Sequence, residues 1–450
     1  MAAGDRILFK LVEPMNIEVP GDAAALAAAA EEPLQQVLGA FGLPVPVPLL
    51  AELDRDEVQA TVDEARAENM LEVAQVPNPL LCFAVDVDPS GFLSAEQLVE
   101  LVRELPPVEW AQLDGTVTNA VRPLDNPAFP LQSHLQPAPA GIGPESAWAL
   151  PGGDGSGVAV GFLEGFQMDG SHPDLPTALT VLRPGGPPTG PDSLTHATAT
   201  MGVVAAADNT VDCVGIAPSS RVLLAGGPNA NGSMSDSEAF VLEHVAGLSL
   251  GRGDVLNISM SAGQPAGGFP LDFLPAHRTA SRLFDRRGTT VVQVAGNGIP
   301  TPQGQPCAGI DLDQALPAPL VPSNSPAIVV GGVQPGATPA TFVRYQCSNF
   351  GGRVDCCAQA HDVLTLAGVL HDSQGNPVRR VDRMGGTSVA VPIVSGAIAA
   401  MQGIRKAQGR DPLTSSEIKA IFRDPTQTSD PAPGQRVGLM PDLAKIVPRL

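Results

Sequence analysis

Apolar and polar positions change their spacing from one stretch of the chain to the next. In LLCFAVDVD, from residue 80, they alternate, which predicts a strand. After the turn PSG, Leu98, Leu101, Val102 and Leu105 recur at helical spacing, with Ser94 placed to cap and Gln97 at the matching capping-box position. VEWAQLDGTV then predicts another strand. The first 75 residues carry acidic and Ala-rich helical patterns such as Asp54–Glu68, broken by the Pro-rich LPVPVPLL, and point to no function. Residues 119–145 are rich in Pro, Asn and Gly and predict a linker.

Beyond the linker, short apolar runs alternate with longer small-residue stretches. VAVGFLE, RVLLAG, DVLNISMS, TTVVQVAGN and PAIVVGGV predict strands. HATATMGVVAAA, EAFVLEHVAGL, a segment around 276–287 and SVAVPIVSGAIAAMQGI predict helices. Strands that read as apolar runs are those covered on both faces, so the order predicts an α/β fold: a doubly wound, mostly parallel sheet. The expected organisation is an ill-defined helical region over 1–79, a strand–helix–strand segment over 80–118, the linker 119–145 and the α/β domain over 146–450.

Composition narrows this picture. Aromatics make up 4% of the chain against 48 Gly, so the core must come from small aliphatic side chains and close backbone approaches. A net charge of −21 repels phosphate backbones and argues against a nucleic-acid partner. No apolar run reaches membrane-spanning length and no secretory signal pattern opens the chain, so the expected setting is away from membranes, in the cytoplasm or reached by a route the sequence does not display. Six cysteines lack metal or redox spacing, and adjacent Cys356–Cys357 are ill placed to bridge each other, so free buried thiols are expected in preference to one or two disulfides.

Three positions carry candidate chemistry. Ser388, in GGTSVAVP, precedes an apolar helix, where free N–H groups favour developing negative charge. A serine there equally serves as a cap. His196 opens a helix, and a neutral imidazole can take a proton from a serine hydroxyl brought to it. Asn297 ends the strand VVQVAGN, at the edge where α/β sheets bind ligands, and its amide can donate to an oxyanion or simply form an Asn-Gly turn.

Together the blocks resemble those of the subtilisin-like serine peptidases (peptidase S8 family). GGTSVAVP is similar to that family's GTSMAxP, HATATMG to HGTxVAG with Ala197 in place of a usual Gly, and VAGN to the oxyanion block AAGN. CVGIAP, NISMS and SNFG resemble three further family segments, and all stand in family order across 146–450. One departure stands out. Where the family has an Asp at the end of the first strand, this chain reads VAVGFLEG and offers Glu164; Asp169 is its rival, and Asp174 in HPDL reads as structural.

The resemblance implies a serine endopeptidase with Ser388 as nucleophile, His196 as base, Glu164 as the third member and Asn297 as oxyanion donor. It further implies protein or peptide substrates lying along 257–263, past Ser259, Met260 and Ser261. Met260 and the strand 294–296, with Ala295 and Gly296, would line the pocket for an apolar residue before the scissile bond. Gly226–Gly227 and the following NANGSMS would form the opposite rim. No cofactor is required; structural calcium has only Asp208–Asn209 as a weak candidate. Segment 80–118 resembles in outline an inhibitory propeptide, released by cleavage in the linker. Two rivals stay open: a pseudoprotease that only binds peptides, suggested by Glu164 and Ala197, and an esterase or amidase using the same residues.

Overall fold

The computed structural model describes residues 6–11, 47–48, 82–86, 95–104, 108–113 and 123–450, the last span except 177, 228, 230–234, 265–266, 300–306, 315, 317–319, 322–323 and 337–340. The expected helical pattern Asp54–Glu68, the capping residue Ser94 and nearly all of the NANGSMS rim lie outside the described residues. The chain divides into two compact units, Met1–Asn119 and Ala120–Leu450.

The first unit contains a four-stranded antiparallel sheet in the order β2-β3-β1-β4, built from β1 (Arg6–Leu11), β2 (Val47–Pro48), β3 (Cys82–Asp86) and β4 (Val108–Leu113). Helix α1 (Ala95–Arg103) turns Leu98, Val99 and Val102 inward. The central strand β1 falls inside the region expected to be helical. Its sequence RILFKL alternates, Ile7 and Phe9 are fully buried, and Phe9 stacks on Phe83 with centroids 5.7 Å apart. Six residues are a short signal beside the long Ala-rich pattern that follows, and strand pairing in three dimensions decides the matter.

The second unit is the predicted α/β domain. Seven parallel strands run in the order β6-β7-β5-β8-β11-β12-β14, with β13 (Phe342–Arg344) antiparallel beside the end of β12. They are β5 (Ala159–Glu164), β6 (Leu179–Pro184), β7 (Arg221–Gly226), β8 (Val255–Ile258), β11 (Thr290–Val294), β12 (Ile328–Pro335) and β14 (Cys356–Gln359). A hairpin of β9 (Ala262–Gln264) and β10 (Gly267–Phe269) follows β8.

The chain winds first to one side of β5 and then to the other, so the C-terminal end of β5 lies at a topological switch point. Val160 and Phe162 of β5 join the core under helices α2 (Pro191–Ala205) and α5 (Thr387–Ala407). Ala159 and Leu163 join the opposite core under α3 (Asp236–Leu248) and α4 (Pro275–Arg286). Strand alternation therefore aims Glu164 toward the α2 and α5 face.

Three expectations change. Residues 123–145 are not a linker but part of the second unit. Gln132 exchanges hydrogen bonds with the Val214 backbone at 3.0 and 3.1 Å, and Phe129, Leu135 and Ile142 enter the core. Their Pro and Gly shape turns of a packed segment. Cys307 and Cys347 form a disulfide, while Cys213, Cys356 and Cys357 are free and buried. Helix α5 is long and apolar enough by length and composition to cross a membrane, and 94% of its apolar stretch is buried in the main core, as a helix hydrophobic on all sides is when it runs through a core.

Candidate active site

Three neighbouring strands end together and set the site. Glu164 closes β5, Ser259 follows β8, and Asn297 follows β11 by three residues. Because β5 and β8 pair in parallel with Leu163 opposite Ile258, Glu164 and Ser259 emerge side by side.

His196 lies in the second turn of α2, where its Nδ1 meets Glu164 Oε2 at 2.8 Å. The Glu164 side chain is fully buried, while a quarter of the imidazole remains exposed. Glu164 Oε1 accepts from the Thr200 hydroxyl at 2.6 Å, and the Glu164 carbonyl accepts from Gly227 N–H at 2.7 Å. Phe166 packs on the imidazole with ring centroids 5.3 Å apart. Burial pushes the His196 pKa down, but the charge of Glu164 and its hydrogen bond outweigh that and leave it raised above the ordinary histidine value.

The rival carboxylates are engaged elsewhere. Asp169 Oδ2 accepts from Val369 N–H at 2.7 Å and Oδ1 from the Ser171 amide and hydroxyl, which ties its loop to strand β15 (Val363–His371). Asp174 accepts from Cys213 N–H at 2.9 Å; burial first, and then repulsion from Asp212, push its carboxyl up to about 8. His172 Nδ1 accepts from Asp174 N–H, so its Nε2 carries the proton and donates to the Arg380 carbonyl. Strand β15 pairs with β16 (Pro377–Met384) and clamps α2 through Gly368 N–H to Thr195 Oγ1 and Thr365 Oγ1 to the Ala199 carbonyl.

Ser388 is the second residue of α5, and Gly386 rather than Ser388 occupies the N-cap position, so its hydroxyl is not spent on capping. The Ser388 carbonyl accepts from Ser259 Oγ at 3.0 Å. Ser259 in turn accepts from Asn257 Nδ2, and Asn257 Oδ1 accepts from Ser395 Oγ. This relay fastens the start of α5 to the end of β8, at the strand end neighbouring Glu164.

Asn297 Oδ1 accepts from both the amide and the hydroxyl of Thr387 at 3.0 Å. A backbone N–H can only donate, so the amide oxygen is fixed toward the helix start and the Asn297 NH₂ faces the other way. Gly386 has φ 103°, and a Cβ there would stand 3.3 Å from Asn297 Nδ2; glycine permits both the turn and the approach.

The expected groove residues divide. Strand β8 is paired on both sides, to β5 and β11, so Asn257 and Ile258 have no free edge and the expected groove 257–263 can begin only at Ser259. The Ser259 hydroxyl is turned inward as the tether just described. Met260 and Ser261 are half-buried, Met260 packing on the α3–α4 core. Ala295 is fully buried, its N–H bonded to the Val330 carbonyl and its own carbonyl to Asn349 Nδ2. Gly296 has φ 95°, and a Cβ would meet the Gly268 carbonyl at 2.2 Å, so only glycine fits. Gly227 is held between Glu164 and Gly186 by its main-chain bonds. Asp208 accepts from Asn126 Nδ2 at 2.7 Å and Asn209 Oδ1 accepts from Val211 N–H at 2.9 Å. Among the described residues no group of three or more His, Cys, Asp or Glu is placed to hold a metal ion.

Sequence reasoning gives no role to Thr200, Ser395 and Thr387, and includes Asn257 only as the start of the expected substrate groove. Thr200 had a usable signal, standing four residues after His196 on one helical face. The other three are legible only once β8 and α5 are seen in contact.

At the C-terminal edge of a doubly wound sheet stand a carboxylate bonded to an imidazole, a helix-start serine tethered to the neighbouring strand end, and a side-chain amide bonded to the start of that helix. Residues 155–438 match the subtilase family (peptidase S8), and the chain belongs to that family. It is 26% identical over 282 residues to the major intracellular serine protease of Bacillus subtilis (strain 168), an alignment covering 61% of this chain and 76% of that protein. Two solved structures share the fold. One is a protease of Pseudoalteromonas arctica, 20% identical with a TM-score of 0.52, covering 72% of this chain and 98% of the other. The second is fervidolysin from Fervidobacterium pennivorans, a keratinolytic enzyme related to subtilisin, 14% identical with a TM-score of 0.52, covering 99% of this chain and 61% of that one. Family membership makes the chain a serine-type endopeptidase of the subtilisin class.

Proposed function

We propose that the chain hydrolyses peptide bonds through an acyl-enzyme on Ser388, using a Glu164–His196–Ser388 triad and Asn297 as oxyanion donor. The observation that carries this reading is the 2.8 Å bond from His196 to a fully buried Glu164, at the strand edge to which Ser388 is tethered. Ser388 Oγ attacks the scissile carbonyl as His196 Nε2 takes its proton. The Asn297 NH₂ and the Ser388 N–H receive the negative charge that develops on the carbonyl oxygen. His196 then gives the proton to the leaving amine, and water, deprotonated in the same way, releases the acyl group. Glu164 holds the imidazole with its proton on Nδ1 and stabilises the imidazolium. These steps use protein groups only.

The substrate is an extended peptide that pairs with the backbone from Ser259 to Ser261, which has left the sheet by that point. Met260 and Gly296 border an apolar subsite for the residue before the cleaved bond. The first unit, a small antiparallel sheet with one described helix, is read as an intramolecular inhibitor removed by cleavage; intact full-length mass in a fully active preparation contradicts that part. The whole reading is tested by initial rates on a peptide panel alongside matched esters. Peptide turnover that favours apolar residues before the cut and disappears in Ser388→Ala supports it. Ester turnover without peptide turnover, or peptide turnover that survives in Ser388→Ala, overturns it.

A further inference from the structure

We propose that Thr200 is a positioning residue for the triad, its hydroxyl gripping one oxygen of Glu164 so that the other is aimed at His196. The inference rests on the reading of Glu164 as the triad acid. His196 and Thr200 stand four residues apart on α2, so one helical face presents both groups to the end of β5. The two oxygens of Glu164 are divided between them, Oε2 to His196 at 2.8 Å and Oε1 to Thr200 at 2.6 Å. Thr200 and Glu164 are both fully buried, so no solvent stands in for the hydroxyl.

The Thr200 hydroxyl also lies 3.1 Å from the Ala197 carbonyl. It has one proton to give. The shorter contact and the charge of the carboxylate settle the donation on Glu164.

The length of the acid explains why such a grip matters. Glutamate has one more rotatable bond than aspartate, so a carboxylate held by a single oxygen can swing about its last torsion. A swinging carboxylate no longer fixes the imidazole tautomer, and leaving one of its oxygens buried without a donor costs free energy. Thr200 removes both failures by occupying the oxygen that His196 does not. Substitution of the hydroxyl therefore acts through Glu164, not on substrate.

The experiment measures kcat and KM for a peptide substrate from pH 5 to 9 in Thr200→Val, Thr200→Ala, Thr200→Ser, Glu164→Gln and the Thr200→Val/Glu164→Gln double variant, with melting temperatures recorded for each. Thr200→Val is expected to lower kcat about tenfold to a hundredfold, the scale of one hydrogen bond to a charged group, with KM within about twofold. The acid limb of kcat/KM moves to lower pH, because a misaimed carboxylate no longer offsets the downward push of burial on His196. Thr200→Ser restores most of the lost turnover, and Thr200→Val adds less than about twofold to Glu164→Gln. Thr200→Ala is read in place of Thr200→Val if the valine variant melts early.

Wild-type kcat and acid limb in Thr200→Val and Thr200→Ala, with Glu164→Gln crippled, overturn the role of Thr200 and leave the triad acid standing. Equal losses in the valine and serine variants with an unmoved acid limb make Thr200 a packing residue and also overturn it. Wild-type turnover in Glu164→Gln overturns the triad reading itself.

Discussion

Two carboxylate–imidazole pairs sit on opposite faces of the main sheet. Glu164 and His196 meet at the end of β5 on the α2–α5 face, and Glu243 of α3 meets His277 of α4 on the other. The bonds are alike, Nδ1 to Oε2 at 2.8 and 2.6 Å. The surroundings are not. A quarter of the His196 side chain is exposed, whereas both side chains of the second pair are 1% exposed. Glu164 spends its second oxygen on Thr200, while Glu243 Oε1 and His277 Nε2 are buried without a hydrogen-bond partner among the described residues. Burial pushes the Glu243 carboxyl up, and His277 offsets this only in part. A carboxylate–imidazole bond is thus a common packing solution. The catalytic use proposed for the first pair rests on what the second lacks: an open ring edge and a carboxylate with both oxygens engaged.

The sharpest way to break this contrast is to remove the nucleophile. Ser388→Ala is expected to lower kcat about 10⁶-fold, the scale found for the family's namesake, in a peptide hydrolysis assay. Next, Glu164→Gln is expected to cost about 10⁴-fold in kcat, whereas Glu243→Gln leaves kcat within about twofold and registers only as a lower melting temperature. Comparable losses in both would dissolve the distinction between the pairs. Asn297→Ala is expected to lower kcat about 10²–10³-fold with little change in KM, because in the proposed mechanism its amide serves the oxyanion and not the bound peptide. Single-turnover rates separate this from slower product release.

The pH dependence sharpens the same comparison. In the proposed mechanism His196 must be neutral to act as base, and Glu164 holds its pKa above the ordinary value of 6.5. Wild-type kcat/KM therefore falls as pH drops through a value above 6.5, and the residual activity of Glu164→Gln keeps its acid limb to lower pH. His134 is the opposite extreme: fully buried, with no partner for either ring nitrogen among the described residues, its pKa is driven down to about 3 by burial. The unfolded chain takes up this proton below pH 6.5 and the folded chain does not until about pH 3. Stability from this group is therefore lost as pH falls through that window, at about 1.4 kcal/mol per pH unit. Melting curves at pH 7 and 5 should draw closer together in His134→Leu than in the wild type.

His134 also marks where sequence reading ran short. The α/β domain was legible because strands buried on both faces appear as apolar runs, and β5, β7, β8, β11 and β12 all do. Ser388, His196 and Asn297 stand out as candidates because each sits in a block tied to one strand or helix end. The Pro and Gly of residues 119–145 predict a linker, since a turn-rich segment that packs, as 123–145 does, and one that dangles have the same composition. Strand β1 was hidden by its shortness and by partners some 75 and 100 residues away, Phe83 and Ala111 standing opposite Phe9. The Ser259 tether was hidden too: whether a hydroxyl faces a groove or a neighbouring helix depends on contact between β8 and α5. The Cys307–Cys347 disulfide has the same character, a pairing across 40 residues that spacing alone does not disclose.

The most direct measurement is the rate of fluorophosphonate labelling of wild type, Ser388→Ala, Glu164→Gln and Glu243→Gln, after checking by mass that the first unit is no longer attached. Only a serine activated by a working base reacts. The account predicts labelling on Ser388 alone, a strongly slowed rate in Glu164→Gln and the wild-type rate in Glu243→Gln. Wild-type labelling of Glu164→Gln, or no labelling of the processed wild type, would contradict it.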